Sequence, residues 1–129
     1  MELFWCRGYE ATSLQSLLTT MDISKSSFYQ AFGSKHELFE RCLMVFRERQ
    51  VGRMTVALEQ APSGKAFLRA MLLSAAREAS SDEPPKGCLI MNTATEFSGR
   101  DAVVADLVEQ GTRQFADVFQ AAIERAQAD

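Results

Sequence analysis

Residues 12–39 read TSLQSLLTTMDISKSSFYQAFGSKHELF, and three helix starts lie within that stretch. Leu14, Leu17, Leu18 and Met21 fall at i, i+3, i+4 and i+7, one apolar stripe of an amphipathic helix. Thr12-Ser-Leu-Gln15 has the form of a capping box, so the Thr12 hydroxyl is expected to accept from the backbone N–H near Gln15 while Gln15 reaches back. Ser24 suits the N-cap of a second helix. Ser34-Lys-His-Glu37 is a second capping box directly before the stripe Leu38, Phe39, Cys42, Leu43 and Phe46. Helices are therefore expected to start near residues 12, 24 and 34. About three residues around Met21-Asp22-Ile23 join the first two, and Asp tolerates the left-handed conformation that so sharp a turn needs.

Two helices joined this tightly cross steeply, and the second can protrude into a major groove. Its composition suits that role. Phe28 and Phe32 form an i, i+4 anchor, while Ser24, Lys25, Ser26, Ser27, Tyr29 and Gln30 are polar or amphipathic. Small hydroxyls meet several base edges, Gln pairs with adenine and Lys reaches guanine. Thr12 and Ser13 at one helix start, and Ser34 and Lys35 at another, place hydroxyls and a cation where helix N-termini attract phosphate. His36 is the only histidine, has no neighbouring Cys or second His for a metal, and is expected to be exposed beside DNA.

Gly8-Tyr9-Glu-Ala-Thr12-Ser13-Leu, followed by Ile23-Ser24-Lys25-Ser26-Ser27-Phe28-Tyr29-Gln-Ala-Phe32-Gly-Ser34-Lys35-His-Glu-Leu38-Phe39, resembles the signature of the TetR family of transcriptional regulators. The resemblance implies a helix-turn-helix over about residues 13–32, with Lys25 and Ser26 facing bases and Thr12, Tyr29 and Lys35 holding phosphates. Leu18 stands where the family carries a small residue, and Asp22 where it carries a turn glycine. Gly87-Cys-Leu-Ile-Met-Asn-Thr-Ala-Thr-Glu96 resembles, more weakly, a stretch of some members' effector-binding domains. Those domains form a ligand cavity and dimerise through their last two helices. Met1 falls inside the expected first helix and Asp129 precedes the expected dimerising helices, so this form is expected to dimerise poorly.

Outward from the motif, helical spacing continues and no stretch alternates as a strand does. Phe67, Leu68, Met71, Leu72 and Ala75 form one stripe. Val104, Leu107, Val108, Phe115, Val118, Phe119 and Ile123 mark a long last helix, loosened near Gly111. Ala61-Pro62-Ser63-Gly64, Pro84-Pro85-Lys86-Gly87 and Ser98-Gly99 punctuate these segments. The expected fold is all-α, about six or seven helices: a three-helix helix-turn-helix head over residues 1–46, then a helical effector and dimerisation domain over 47–129 that is incomplete.

The chain has 129 residues, 47% of them hydrophobic and 24% charged, as in a soluble globular protein with a real core. Its net charge of −3 is uneven: residues 1–53 hold seven Lys/Arg against six Asp/Glu, residues 54–129 seven against eleven. Charge alone would not have suggested nucleic acid. The three cysteines, Cys6, Cys42 and Cys88, form no C-x-x-C pair and argue for reduced thiols. The start MELFWCRGYE is no signal peptide and no apolar run spans a bilayer, so the cytoplasm is the expected compartment and no membrane partner is expected.

No nucleophile–base pair, metal set or glycine-rich phosphate loop appears, so neither an enzyme nor a cofactor is expected. The expected partners are double-stranded DNA at a palindromic operator, a second copy of the chain, and a small apolar effector. Met71, Leu72, Met91, Asn92, Phe97, Phe115 and Phe119 are the candidate pocket residues, with Glu96 one turn beyond Asn92. The expected function is a repressor released from its operator by that effector. The alternative is a helical ligand-binding or interaction module that has lost operator binding.

Overall fold

The structure is a computed structural model that describes residues 1–97 and 99–129. Ser98, one of the expected breaks, lies outside the described residues. Among the described residues seven helices follow in order: α1 Glu2–Arg7, α2 Leu14–Met21, α3 Lys25–Phe32, α4 Lys35–Gln60, α5 Gly64–Ala79, α6 Leu89–Phe97 and α7 Ala102–Ala128.

Two of the three expected caps form as read. The Ser24 hydroxyl accepts from Ser27 N–H at 3.1 Å, and the Ser34 hydroxyl accepts from Glu37 N–H at 3.0 Å. The first cap is corrected by one residue. Ser13, not Thr12, is the N-cap of α2, and its hydroxyl accepts from Ser16 N–H at 3.0 Å. Thr12 is 0% exposed, and its hydroxyl donates instead to the Gly8 carbonyl at 2.6 Å and the Leu3 carbonyl at 3.3 Å. A second correction concerns α7, which passes through buried Gly111 without a break.

The chain forms two compact units, residues 1–46 with 86–109, and residues 47–85 with 110–129. Residues 86–109 pack with the helices of residues 1–46. The reason is the first unit's core. Phe4, Leu17, Phe28, Leu38, Phe39, Leu43 and Phe46 share it with Leu89, Ile90 and Val104, all nearly or wholly buried. Helix α6 and the start of α7 thus add Leu89, Ile90 and Val104 to the apolar faces of α1 to α4.

In the second unit Phe67, Val118 and Ala122 form the core, backed by Val51, Met54, Leu58, Leu68 and Met71. Arg125 closes the open end of α4, its guanidinium donating to the Leu58 carbonyl at 2.7 Å and the Ala61 carbonyl at 2.8 Å. A cation there meets both the unpaired carbonyls and the negative end of the helix dipole. Gly64 opens α5 against α7, where a Cβ would lie 2.3 Å from the Ala122 carbonyl oxygen and 2.4 Å from the Ala126 nitrogen. Backbone cannot yield as a side-chain tip does. Gly64→Ala is therefore expected to destabilise the chain by about 1–3 kcal/mol or more, the cost of overpacking, seen as a lower Tm in thermal unfolding followed by circular dichroism.

Candidate nucleic-acid interface

The turn between α2 and α3 is made by one residue. Asp22 has φ 52° and ψ 48°, left-handed, and is the only non-glycine residue with positive φ among the described residues. Its N–H closes onto the Thr19 carbonyl at 3.3 Å and that of Ile23 onto the Leu18 carbonyl at 3.2 Å. Ser24 then restarts the chain as the N-cap of α3. Helix α3 hangs from Phe28, which is 0% exposed and faces Phe32 at 5.3 Å between ring centroids. Around this anchor Ser24, Lys25, Ser26, Ser27, Tyr29 and Gln30 are all exposed. Six of the ten expected DNA-contacting residues thus share one outward surface. Ser24 and Ser27 are further linked by a hydroxyl–hydroxyl bond of 2.9 Å.

Ser13 is exposed at the start of α2. A groove lined by Gln15, Leu18, Thr19, Asp22, Ile23, Ser24 and Lys25 runs beside the turn. Gln15 and Thr19 are exposed on it and linked at 3.3 Å, and neither was among the expected DNA contacts. Lys25 is the only basic residue of α2 and α3. The surface therefore offers hydroxyls, two amides, one phenol and helix N-termini, rather than a field of cations.

Three expected contacts are turned elsewhere. Thr12 is buried and its hydroxyl is given to the Gly8 and Leu3 carbonyls. The Lys35 ammonium donates to the Tyr9 carbonyl at 3.0 Å and the Thr12 carbonyl at 2.9 Å, and lies 4.0 Å from the centre of the Tyr9 ring. Two of its three N–H bonds are thus spent on the α1–α2 turn. His36 lies between two carboxylates, Nε2 at 2.6 Å from Asp101 and Nδ1 at 2.7 Å from Glu40. It joins α4 to the start of α7, where Asp101 also accepts from Val104 N–H at 3.0 Å. Tyr9 is the aromatic centre of this region, against Phe39 at 5.0 Å and Phe97 at 5.3 Å. Burial, then the charges of Glu10 and Asp101, raise the Tyr9 phenol above its ordinary value, so it stays neutral.

The candidate effector residues are divided between the two units. Met91, Asn92 and Phe97 belong to the first unit, and Met71, Leu72, Phe115 and Phe119 to the second. Leu72 is 74% exposed and Met91 41%. Phe119 is exposed as well, while Met71 backs the core of its unit. Phe97 stacks on Phe39 at 5.4 Å, and the Asn92 amide donates to the Lys86 carbonyl at 2.8 Å. An apolar stripe marks surface that must be covered, and its spacing cannot say whether core, ligand or partner covers it. Glu96, one turn beyond Asn92, accepts from backbone N–H groups of the α1–α2 turn.

Two measurements check this geometry. Asp22→Gly is expected to leave Tm unchanged or slightly raised, while Asp22→Val should cost about 1–2 kcal/mol, the penalty of a left-handed L-residue. The Asp101 carboxyl lies below the ordinary carboxylate range, held there by the Val104 N–H first and by His36 after a smaller opposing cost of desolvation. A carboxyl lowered on folding contributes stability above its unfolded value, which is lost as pH falls through the folded one. Acid unfolding of the wild type should therefore steepen below about pH 4, and Asp101→Asn, which keeps a capping side chain, should flatten that limb.

Comparison with known proteins agrees with this head. Residues 1–42 match the family described as bacterial regulatory proteins, tetR family, and residues 64–129 match the tetracyclin repressor-like C-terminal domain. An uncharacterised HTH-type transcriptional regulator of Bacillus subtilis, YezE, is 31% identical over 126 residues, which are 98% of this chain and 65% of that protein. The HTH-type transcriptional repressor ComR of Escherichia coli is 28% identical over 110 residues, 84% of this chain and 52% of that one. Among solved structures, reduced NemR of E. coli superposes with a TM-score of 0.87 at 23% identity, covering 98% of this chain and 66% of that one. A cysteine mutant of the TetR family transcriptional regulator CifR, solved with 26-base-pair operator DNA, gives a TM-score of 0.79 at 31% identity, with the same shares covered. The chain thus spans about two thirds or less of each relative's length. By both matched domains and by its helix-turn-helix, this chain belongs to the tetR family of bacterial regulatory proteins.

Proposed function

We propose that this chain binds operator DNA as a transcriptional repressor, reading sequence with α3. The observation that carries the reading is the pairing of a fully buried Phe28 with six exposed polar or amphipathic residues on or capping the same short helix. A helix so anchored can enter a groove with Lys25, Ser26 and Gln30 toward base edges, while Ser13, Ser24, Ser27 and Tyr29 engage the backbone. Support comes from the relative solved on operator duplex and from the one named a repressor.

Two copies would read a palindromic site, because one head covers only a half-site. The match of residues 64–129 to a repressor-type C-terminal domain supports release of the DNA by a small molecule. Such a ligand must prefer the DNA-incompetent arrangement, and DNA must weaken its binding by the same factor. Among the described residues no helix is long and apolar enough to cross a membrane. Nor does any group of three His, Cys, Asp or Glu among them come together as a metal site would.

A mobility shift with duplex from upstream of the chain's own coding region is expected to show a discrete, competitor-resistant band. A module that has lost operator binding would give no shift with that duplex. Lys25→Ala should weaken specific binding by about 1–3 kcal/mol if its contact is to a base edge, with less loss on random duplex. Lys35→Ala should instead act first on stability, lowering Tm by stripping two carbonyls of their donor. Equal weakening of random and specific duplex by Lys25→Ala would overturn the base-reading role.

A further inference from the structure

The α1–α2 turn is held from two sides by opposite charges. From α4, Lys35 takes its carbonyls, those of Tyr9 and Thr12. From α6, Glu96 takes its N–H groups, with Tyr9 N–H donating to Oε2 and Glu10 N–H to Oε1, each at 2.9 Å. Both oxygens of one carboxylate are thus given to successive backbone amides more than eighty positions away, an arrangement of charge-assisted bonds with little angular freedom. Gly8 makes room for it. That residue has φ 80°, and a Cβ there would lie 2.9 Å from Glu96 Oε2.

We propose that Glu96 is a positioning residue for DNA binding: its carboxylate, carried by α6, fixes the α1–α2 turn and so sets how α2 and α3 are presented. This rests on the operator-binding reading given above. The path is short. Ser13, the N-cap of α2, lies three residues beyond Glu10, and buried Thr12 is tied back to Gly8 and Leu3 between them. Helix α3 follows α2 after a turn with a single left-handed residue, so a tilt of α2 carries α3 with it. Helix α6 is itself seated by buried Leu89, Ile90 and Thr93, and the Arg100 guanidinium donates to the backbone carbonyl of Glu96. Glu96 is only half-buried, and the core beneath it is built from other residues. Losing its carboxylate therefore frees the turn without emptying the core.

Charge and position predict opposite signs. Removing an anion from a DNA-binding unit strengthens attraction to phosphate, whereas freeing the turn lowers the fraction of molecules whose head is competent, and apparent affinity falls with that fraction. Glu96→Gln, Glu96→Ala and a charge-matched control at exposed Glu59, Glu59→Gln, are compared with wild type by fluorescence anisotropy on the upstream duplex. Circular dichroism at the same temperature gives the folded fraction, and hydrogen exchange follows the Tyr9 and Glu10 amides. The expected result is about tenfold weaker binding for both Glu96 variants, corresponding to a competent fraction near one tenth. Faster exchange of one or both amides, an unchanged folded fraction and wild-type or tighter binding by Glu59→Gln complete the expected pattern. Binding by the Glu96 variants equal to or tighter than wild type overturns the inference, as does a loss that only tracks the unfolded fraction. Those outcomes leave operator binding standing. Failure of the wild type itself to bind the duplex overturns both readings.

Discussion

Burial of one phenyl ring, that of Phe28, is the interaction on which the outward face of α3 depends. A helix of eight residues has too few internal hydrogen bonds to persist alone, so its geometry must be imposed by packing. Phe28 supplies that packing from the middle of the helix, and every residue offered to solvent around it owes its direction to this ring. Truncating a buried phenyl costs about 3–5 kcal/mol, a large part of what a typical domain has to lose. Phe32 adds a partner on the same face, with Arg41 placed 6.0 Å from its ring centre and donating to the Ala31 carbonyl at the end of the helix. The recognition surface can therefore be polar throughout without being loose.

The turn ahead of α2 follows a different logic. Backbone that leaves a helix carries unpaired donors and acceptors, and near a core they must be met. Here Lys35 and Glu96 divide the work by charge, with cation to carbonyls and carboxylate to amides. Lys35 is thus spent on the fold, which leaves Lys25 as the one cation carried by α2 and α3.

Local signals in the sequence carried far. The caps at Ser24 and Ser34, the left-handed Asp22 and the i, i+4 anchor Phe28–Phe32 are all settled within four or five residues, and each was legible. The cap of α2 was misplaced by one because Thr12 and Ser13 are both hydroxyl residues with a polar partner three positions on, Gln15 and Ser16. Only the burial of Thr12 separates them, and that depends on α1. Lys35, His36 and Glu96 escaped for the same reason on a larger scale. Apart from Glu40, one turn from His36, their partners lie 23 to 87 positions away, and no periodicity encodes a contact across that distance. The apolar stripe of α5 was equally visible, yet spacing could not tell that Leu72 stays open while Phe67 closes a core.

The way the two units share the chain also bears on its synthesis. Each unit is assembled from two separated stretches, and the second is completed only by the last residues, where Ala122 and Ala126 meet Gly64 and the Asp129 carboxylate accepts from the Gly64 N–H at 2.7 Å. At roughly 5–20 residues per second of translation, the wait between Gly64 and Asp129 lasts about 3–13 seconds. Until residues 118–122 are made, Phe67 has no Val118 or Ala122 to pack against. The nascent chain therefore carries uncovered apolar surface for seconds, a period long compared with helix formation, and this is the stage at which a chaperone would find it.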